Sequence, residues 1–330
     1  MNFLTHLIAA IAGGLIASHG LAPTQSRADP SAIGAVDGMV IERQMSDLVT
    51  IGVVFGICHL LPDLEVLLRR RGKISQLTQR SGMTHSIPFM LVIPCLVGTV
   101  GLGNGLESFI RTAIAGVAGY AAHIVMDLLA PYPVAVLWPL KRRFSLGILY
   151  SRDYGMMLGI ALPGAFFQSP PLALTVLALF MGLYVSLRVG YLIYAKRRWP
   201  FFKAHLGREK VELVTFIPDS MQPWVWKVAI KTDDSFHAWN LDLMTGVAGD
   251  RTKLDRRESG LARRARALPL VREIDAFTPW FALTEHPPEA GQTRVRITGK
   301  DVRYHFYGRE NPLRLELFYE GNNLVESRML

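Results

Sequence analysis

Cysteine is scarce in this chain, with only Cys58 and Cys95 among 330 residues, and both lie in apolar runs. This favours small buried hydrophobic side chains over a disulfide or a thiolate metal site. Internal repeats and low-complexity tracts are absent. The first twenty residues also lack the basic start of a secretion signal, so they are predicted to form a retained membrane helix, with a cleaved signal as the alternative.

Apolar residues, in contrast, make up 50% of the chain, and the mean hydropathy of +0.24 is unusual for a soluble protein. The composition changes at about Lys203, where apolar runs give way to polar and charged sequence. Such a shift predicts a domain boundary. We expect a helical membrane domain over residues 1–200 and a β-rich α+β domain over residues 201–330.

The apolar runs predict a polytopic, mainly α-helical fold with about six membrane spans. The third and fifth runs contain proline, and the fifth is too short to span a bilayer untilted. The predicted spans are Phe3–Leu21, Leu48–Leu68, Ile87–Gly103, Phe109–Ala130, Tyr154–Phe167 and Leu172–Ala195.

Lysine and arginine cluster in three places: after the second predicted span, after the fourth and after the sixth. Basic connections stay in the cytoplasm, so six spans place all three clusters on that side. Both termini are then cytoplasmic. The sequence therefore predicts a multi-pass membrane protein with a cytoplasmic C-terminal domain.

Several short segments of the C-terminal domain alternate apolar and polar residues, as half-buried strands do. An arginine-rich segment, Leu254–Ala267, has a helical pattern and is either a surface for the anionic leaflet or a solvated helix. Trp224, Trp226 and Trp239 are expected to be core aromatic residues. The predicted strands are Val211–Ile217, Trp224–Lys231, Phe236–Met244, Thr293–Ile297, Val302–Tyr307 and Leu313–Tyr319.

Histidine and aspartate recur at the cytoplasmic ends of the predicted spans. His123 and Asp127 are one helical turn apart, so they share a face of the fourth span. An aspartate inside a membrane helix costs about 2.5–3.5 kcal/mol, which marks it as a functional residue by default. His85 and Asp63 reach the same level from the third and second spans. Taken singly, His6, His59 and Asp153 are better explained as helix-end or turn residues than as ligands.

The nitrogen and oxygen ligands of this set suit a divalent cation, Zn²⁺ in the first place, with Mn²⁺ or Fe²⁺ as alternatives. Such a cation lowers the pKa of water toward ~7, which makes hydrolysis possible. Glu65 or Asp153 would then transfer a proton. Arg80 and the basic residues 141–143 would hold an anionic head group, although topology alone also explains them.

Four motifs in this order and spacing resemble the YdjM-like family over roughly residues 1–147. They are Thr5-His6, Leu61-Pro62-Asp63-Leu64-Glu65, Arg80-Ser81-Gly82-Met83-Thr84-His85-Ser86 and Gly119-Tyr120-Ala121-Ala122-His123-Ile124-Val125-Met126-Asp127. Members are described as inner-membrane, metal-dependent hydrolases. The resemblance implies metal ligands at His6, Asp63, His85, His123 and Asp127.

Two positions depart from the family pattern. Glu65 stands where a second aspartate is expected, and Ala122 replaces a serine, which removes a hydrogen bond behind His123. We predict that Glu65 transfers the proton. His59 lies outside the pattern.

The resulting prediction is a membrane-bound, metal-dependent hydrolase that acts on a lipid or phosphoester from the cytoplasmic side. Membrane lipids are the expected partners, and no nucleic acid is expected. The alternative is a non-catalytic membrane protein that binds metal or serves as a scaffold. The substrate and the oligomeric state stay open.

Overall fold

A computed structural model describes residues 3–20, 37–68, 82–140, 142–150, 153–161, 170–249, 251–256, 259–288, 293–304 and 314–329. The chain divides into two compact units. The helices up to Arg188 form the first unit, and the chain from Val189 onward forms most of the second.

The first unit is built from apolar α-helices. A single turn of 3-10 helix, Met83–His85, precedes α3, and α3 continues as 3-10 helix over Thr99–Asn104. The helices are α1 Phe3–Gly20, α2 Asp37–Leu68, α3 Ile87–Gly98, α4 Leu106–Leu129, α5 Tyr154–Ala161 and α6 Pro170–Arg197, whose last residues belong to the second unit.

Small residues let these helices approach closely. A Cβ added to Gly119 of α4 would lie 2.3 Å from the carbonyl oxygen of Phe55 in α2. Likewise, a Cβ on Gly14 of α1 would lie 2.6 Å from the carbonyl oxygen of Gly52. Backbone contact of this kind, through glycine, is typical of membrane helix pairs. It fixes α2 between α1 and α4.

Three stretches of the described chain are long and apolar enough to cross a membrane: Ile87–Asn104, Leu106–Leu129 and Thr175–Leu206. The stretch Val49–Asp63 is a shorter apolar helix. The third, fourth and sixth predicted spans thus coincide with long apolar helices. The number of six spans stays a prediction.

Helix α2 differs from its predicted boundaries, and so does the burial of one cysteine. Helix α2 begins at Asp37, about three turns before the predicted start at Leu48, and it continues through Pro62. Polar residues at its beginning concealed this extension, since an apolar run marks only the lipid-facing part of a helix. Of the two cysteines, Cys58 is buried as expected, but Cys95 is exposed on α3, so that prediction was wrong.

The second unit combines the end of α6 with short helices and two antiparallel four-stranded sheets, ordered β1-β2-β3-β4 and β5-β6-β7-β8. The bounds are α7 Trp199–Leu206, β1 Val211–Pro218, β2 Val225–Thr232, β3 Ser235–Asp242, β4 Thr252–Asp255, α8 Gly260–Ala267, α9 Pro269–Phe277, β5 Phe281–His286, β6 Arg294–Asp301, β7 Arg314–Glu320 and β8 Asn323–Met329.

The tryptophans lie in the core of the first sheet, as expected. Trp226 is fully buried and Trp239 nearly so, while Trp224 is partly buried beside them. Phe202 and Leu206 of α7 close this core. The second sheet is covered by α8 and α9 through Ala265, Val271 and other apolar residues.

Five predicted strands correspond to β1, β2, β3, β6 and β7, but three strands were missed. The predicted strand Val302–Tyr307 is wrong in its first half, because residues 302–304 form a helical turn, and residues 305–307 lie outside the described chain. The predicted helix Leu254–Ala267 is also too long. Its beginning belongs to β4, and α8 starts only at Gly260, after the cap at Ser259.

Candidate metal centre

Helix α4 supplies two ionisable side chains to one buried place. His123 and Asp127 are four residues apart and therefore project from the same face. Both are buried, with exposed fractions of 0% and 3%. The Nε2 atom of His123 lies 3.6 Å from Oδ2 of Asp127.

The 3-10 turn before α3 brings His85 to the same place. Its side chain is 1% exposed. Its Nε2 atom lies 3.2 Å from Nε2 of His123 and 3.2 Å from Oδ2 of Asp127. Three ligand atoms from two elements thus face one another inside the first unit.

Helix α2 adds a carboxylate. Asp63 follows Pro62 and is 7% exposed, and its Oδ1 lies 3.9 Å from Nε2 of His85. The ligand atoms of Asp63, His85 and His123 all lie within 4.8 Å of one another. A group of this size and composition can hold a metal ion.

The spacing of these atoms fits a divalent cation. Two ligand atoms bound to one ion at about 2.1 Å, with tetrahedral angles, lie roughly 3.4 Å apart. The four separations given above range from 3.2 to 3.9 Å. Two imidazole nitrogens with carboxylate oxygens suit Zn²⁺, Mn²⁺ and Fe²⁺, so the donor set does not identify the metal.

Backbone and hydroxyl groups orient both imidazoles. Nδ1 of His123 donates to the carbonyl oxygen of His59 at 2.6 Å, because a carbonyl only accepts. The Thr84 hydroxyl donates to the carbonyl oxygen of Pro62 at 3.3 Å and accepts from Nδ1 of His85 at 3.1 Å. With Nδ1 protonated, each Nε2 presents its lone pair to the cluster, as metal-bound histidines do.

The backbone of α2 around Pro62 contributes to this arrangement. Proline has no N–H, so it removes the helical hydrogen bond to the carbonyl four residues earlier. The carbonyl groups around it, those of His59 and Pro62, are the ones that accept from His123 and Thr84. The Tyr120 hydroxyl donates to the Thr84 carbonyl and ties α4 to the same turn.

His59 lies beside the cluster without joining the converging ligand atoms. Its Nδ1 is 3.0 Å from the carbonyl oxygen of Gly119, and its ring meets that of His123 at 5.4 Å between centroids. Its own carbonyl holds His123. His59 therefore contributes to the site through packing and its backbone.

Asp153 belongs to a separate buried network. It forms an ion pair with Arg188 of α6, accepts from the Tyr184 hydroxyl and caps α5 through the N–H of Met156. Asp153 and Arg188 are both fully buried. These contacts explain Asp153 without a role in metal binding or proton transfer.

The other two predicted site residues, His6 and Glu65, have side chains outside the described part of the structure. Their helices are described: α1 contains His6, and α2 contains Glu65 two residues after Asp63. Their assigned roles, and the ligand roles of the clustered residues, stay predictions.

The groups behind the histidines were not predicted from the sequence. Thr84 entered only as part of a family motif, and the carbonyls of His59 and Pro62 leave no trace in side-chain patterns. Ala122 was expected to leave His123 without support, whereas the His59 carbonyl provides it.

Apolar helices and a buried histidine and aspartate cluster define a membrane protein able to hold a metal ion in its helical unit. The chain belongs to the YdjM inner membrane protein family, whose model matches residues 1–197. This match confirms the resemblance seen in the motifs. No curated protein and no solved structure matches the chain.

Proposed function

We propose that this protein is a membrane-bound hydrolase that uses a divalent cation held by Asp63, His85, His123 and Asp127. The observation that carries the proposal is the convergence of buried nitrogen and oxygen atoms 3.2–3.9 Å apart. Two carboxylates beside two imidazoles are costly to bury alone, and a cation would compensate their charge.

Each side chain has a defined part in this proposal. His85 and His123 are held with Nδ1 protonated, which keeps each Nε2 available as a ligand. His6, at the beginning of α1, is proposed as a fifth ligand. Glu65, two residues beyond Asp63, is proposed to accept and return the proton. A bound divalent cation would supply Lewis acidity and make water more acidic at this place.

The proposed substrate is a lipid or another phosphoester reached from the inner leaflet. The buried cluster lies in a unit with apolar helices, so a substrate that partitions into the bilayer is favoured. Arg142 and Arg143, which follow α4, are exposed and cationic. Together with Arg80 and Lys141 they are proposed to hold the anionic head group.

The proposed topology has six spans, with both termini and the second unit in the cytoplasm of a bacterial cell. This topology is supported by the basic connections, because all of them fall on one side of the membrane when the spans alternate in direction. The last two residues of α6, Lys196 and Arg197, are exposed, as expected of a cytoplasmic helix end.

Hydrolysis by the purified protein tests the proposal. Wild-type protein, stripped of metal with a chelator and placed in mixed micelles with phosphatidylglycerol, is expected to release phosphate-containing products only after Zn²⁺ or Mn²⁺ is added back. His123→Ala and Glu65→Gln should abolish release, while Glu107→Gln, at the exposed beginning of α4, should retain it. Metal-loaded wild type with no activity on any lipid or soluble phosphoester would contradict the proposal.

The second candidate is a non-catalytic metal-binding membrane protein, and one observation favours it. Asp63, His85, His123 and Asp127 are enough to fill a tetrahedral coordination shell, as in structural zinc sites, whereas catalytic sites keep one position open. On this reading the metal would stabilise the contact of α2 with α4. Stoichiometric metal, raised thermal stability and absent hydrolysis would together support it.

A further inference from the structure

The end of helix α6 has the composition of a membrane boundary. Apolar side chains on α6 stay exposed up to Ile193 and Tyr194, which are 49% and 43% exposed. Exposed Lys196 and Arg197 follow directly. A tyrosine followed by basic residues is typical of a lipid–water boundary, where the ring lies among head groups and the cations meet anionic lipid.

One turn of the first sheet lies at this boundary. The turn is the connection of β3 to β4, residues 243–249. The Arg198 guanidinium donates to the carbonyl oxygen of Gly246 at 2.9 Å. Leu243 belongs to the same apolar cluster as Ala195, with Leu192 packed against it. All of these residues belong to the second unit, so the turn is held next to the end of α6.

The 243–249 turn exposes apolar side chains and no charge. Its sequence is Leu-Met-Thr-Gly-Val-Ala-Gly. Met244 is 69% exposed and Val247 is 61% exposed. The neighbouring carboxylate of Asp242 is engaged by the N–H groups of Met244 and Thr245, at 2.8 and 3.3 Å. Gly246, at a φ of +70°, allows the tight turn that presents these side chains.

A second turn at the same end of the sheet also exposes an apolar side chain, beside the carboxylate of Asp219, which Lys227 pairs with at 3.3 Å. Met221, in the connection of β1 to β2, is 73% exposed. The strands β1 to β3 are antiparallel neighbours, which puts this connection and the 243–249 turn at one end of the sheet. Met221, Met244 and Val247 are thus exposed at one end of the first sheet.

We infer that Met244 and Val247 insert into the lipid–water interface of an anionic membrane beside the end of α6. The lipid surface fits better than a protein partner for two reasons. The turn is fixed to the residue that follows the basic membrane boundary, and exposed cations of that boundary complement anionic head groups. This inference depends on α6 crossing the membrane and is independent of the metal centre.

Site-directed fluorescence in nanodiscs tests the inference. Single cysteines would be introduced by Met244→Cys and Val247→Cys in a Cys95→Ser background, since Cys58 is buried, and labelled with a small fluorophore. The matched control is Asp234→Cys, in the exposed β2–β3 connection. It lies at the opposite end of the same sheet, about 25 Å away for strands of this length.

The full-length protein, one copy per nanodisc of phosphatidylethanolamine and phosphatidylglycerol, would be exposed to two quenchers. Nitroxide-labelled lipid should quench the labels at positions 244 and 247 severalfold more than the label at 234, and aqueous iodide should show the reverse order. Labels at 244 and 247 that iodide quenches as strongly as the control would overturn the inference. Protection from both quenchers would also overturn it, because protein would then cover the turn.

Discussion

At the scale of single residues, the metal cluster depends on neighbours that carry no charge. A histidine ligand needs one nitrogen protonated and pointed away, so that the other offers its lone pair. Thr84 provides this for His85 and the His59 carbonyl provides it for His123. Of these two partners, only the Thr84 hydroxyl can be removed by mutation of a side chain. Thr84 is therefore the position at which this orienting role can be tested.

Thr84→Val removes the hydroxyl at nearly constant volume and is expected to weaken metal affinity about 10–100-fold, as loss of such outer partners does. Thr84→Ser keeps the hydroxyl and should retain affinity. Thr99→Val serves as the matched control, because the exposed Thr99 hydroxyl bonds only the local carbonyl of Leu96. Competition with a zinc chelator measures all three. Equal affinity of Thr84→Val and wild type would contradict the role of Thr84.

A second polar cluster, in the first sheet, resembles a catalytic triad but has the wrong proton arrangement. His237 is fully buried, and its Nε2 is 2.6 Å from the Ser235 hydroxyl and 2.7 Å from Glu209. The Arg251 Nε–H donates to Nδ1 at 3.0 Å. Nδ1 therefore accepts, and the proton lies on Nε2. A histidine in this state takes no proton from Ser235, so the cluster is structural.

The Glu209 carboxylate is the acceptor of this cluster. Partial burial alone would raise its pKa, but hydrogen bonds to its oxygens outweigh burial and hold the pKa far below the usual range. Burial lowers the pKa of His237, although Glu209 opposes this shift. The donors to Glu209 are Ser235, His237, Thr232 and Lys253.

Glu209→Gln should therefore destabilise the protein in a pH-dependent way. A carboxyl with a depressed folded-state pKa contributes stability above its unfolded pKa and loses it as pH falls. We expect the variant to lose about 1–3 kcal/mol near neutral pH, with the difference from wild type shrinking below about pH 4. Thermal unfolding of the full chain in detergent at several pH values measures this. A difference that is constant with pH would contradict it.

At the scale of elements, the contact of α2 with α4 builds the cluster. Asp63 lies on α2 and the pair His123 and Asp127 on α4, so the separation of these helices sets the separation of the ligands. Gly119 permits the contact: an added Cβ would lie 2.3 Å from the Phe55 carbonyl oxygen and 3.3 Å from the His59 amide nitrogen.

Gly119→Ala is expected to push α2 away from α4, lowering the unfolding temperature and the bound metal together. Overpacking of this kind costs typically about 1–3 kcal/mol. The control is Gly182→Ala in α6, where an added Cβ meets nothing within 4 Å. That substitution should be neutral or stabilise by up to about 1 kcal/mol. Unchanged metal content in Gly119→Ala would contradict the dependence of the site on this contact.

The pair of Asp153 with Arg188 connects the start of α5 to α6. Breaking a buried ion pair from one side leaves an uncompensated charge and costs about 3–5 kcal/mol. Asp153→Asn is therefore expected to lower the unfolding temperature strongly while metal content stays at the wild-type level. Glu107→Gln, which breaks the exposed pair with Arg111, should have little effect. Metal loss in Asp153→Asn beyond its loss of folded protein would place Asp153 in the site.

Helical spacing and the free-energy cost of burying ionisable residues predicted much of the site at this scale. The four-residue spacing of His123 and Asp127 correctly placed them on one face, and the motifs brought Asp63 and His85 to them. The polar beginning of α2, the short strand β4 and the edge strand β8 were missed. Their residues lack a long apolar run or a clean alternation, and tertiary packing determines their structure instead.

The tautomers and the Asp153–Arg188 pair were also beyond sequence reasoning. The first depends on backbone carbonyl groups around Pro62, and the second joins residues 35 positions apart on different elements. Neither leaves a local pattern. Asp153 illustrates the general difficulty. An acidic residue in an apolar segment indicates a buried charge, but only its partner in the structure shows whether that charge serves a functional site or stabilises the fold.

At the scale of the whole molecule, the family match and the metal cluster both lie in the helical part of the chain. The matched residues, 1–197, end where α6 ends, and the two sheets follow. The activity proposed for this family member therefore depends on the helical unit. The sheets lie outside the matched residues, and the exposed 243–249 turn is their proposed contact with lipid.

The most direct test of the central claim is the metal content of the purified protein, measured by mass spectrometry. Wild type is predicted to carry about one divalent cation per chain. His123→Ala should lose it, and His205→Ala, an exposed histidine on α7, should keep it. Folded wild-type protein that holds no stoichiometric metal, even after incubation with Zn²⁺, Mn²⁺ and Fe²⁺, would contradict the account.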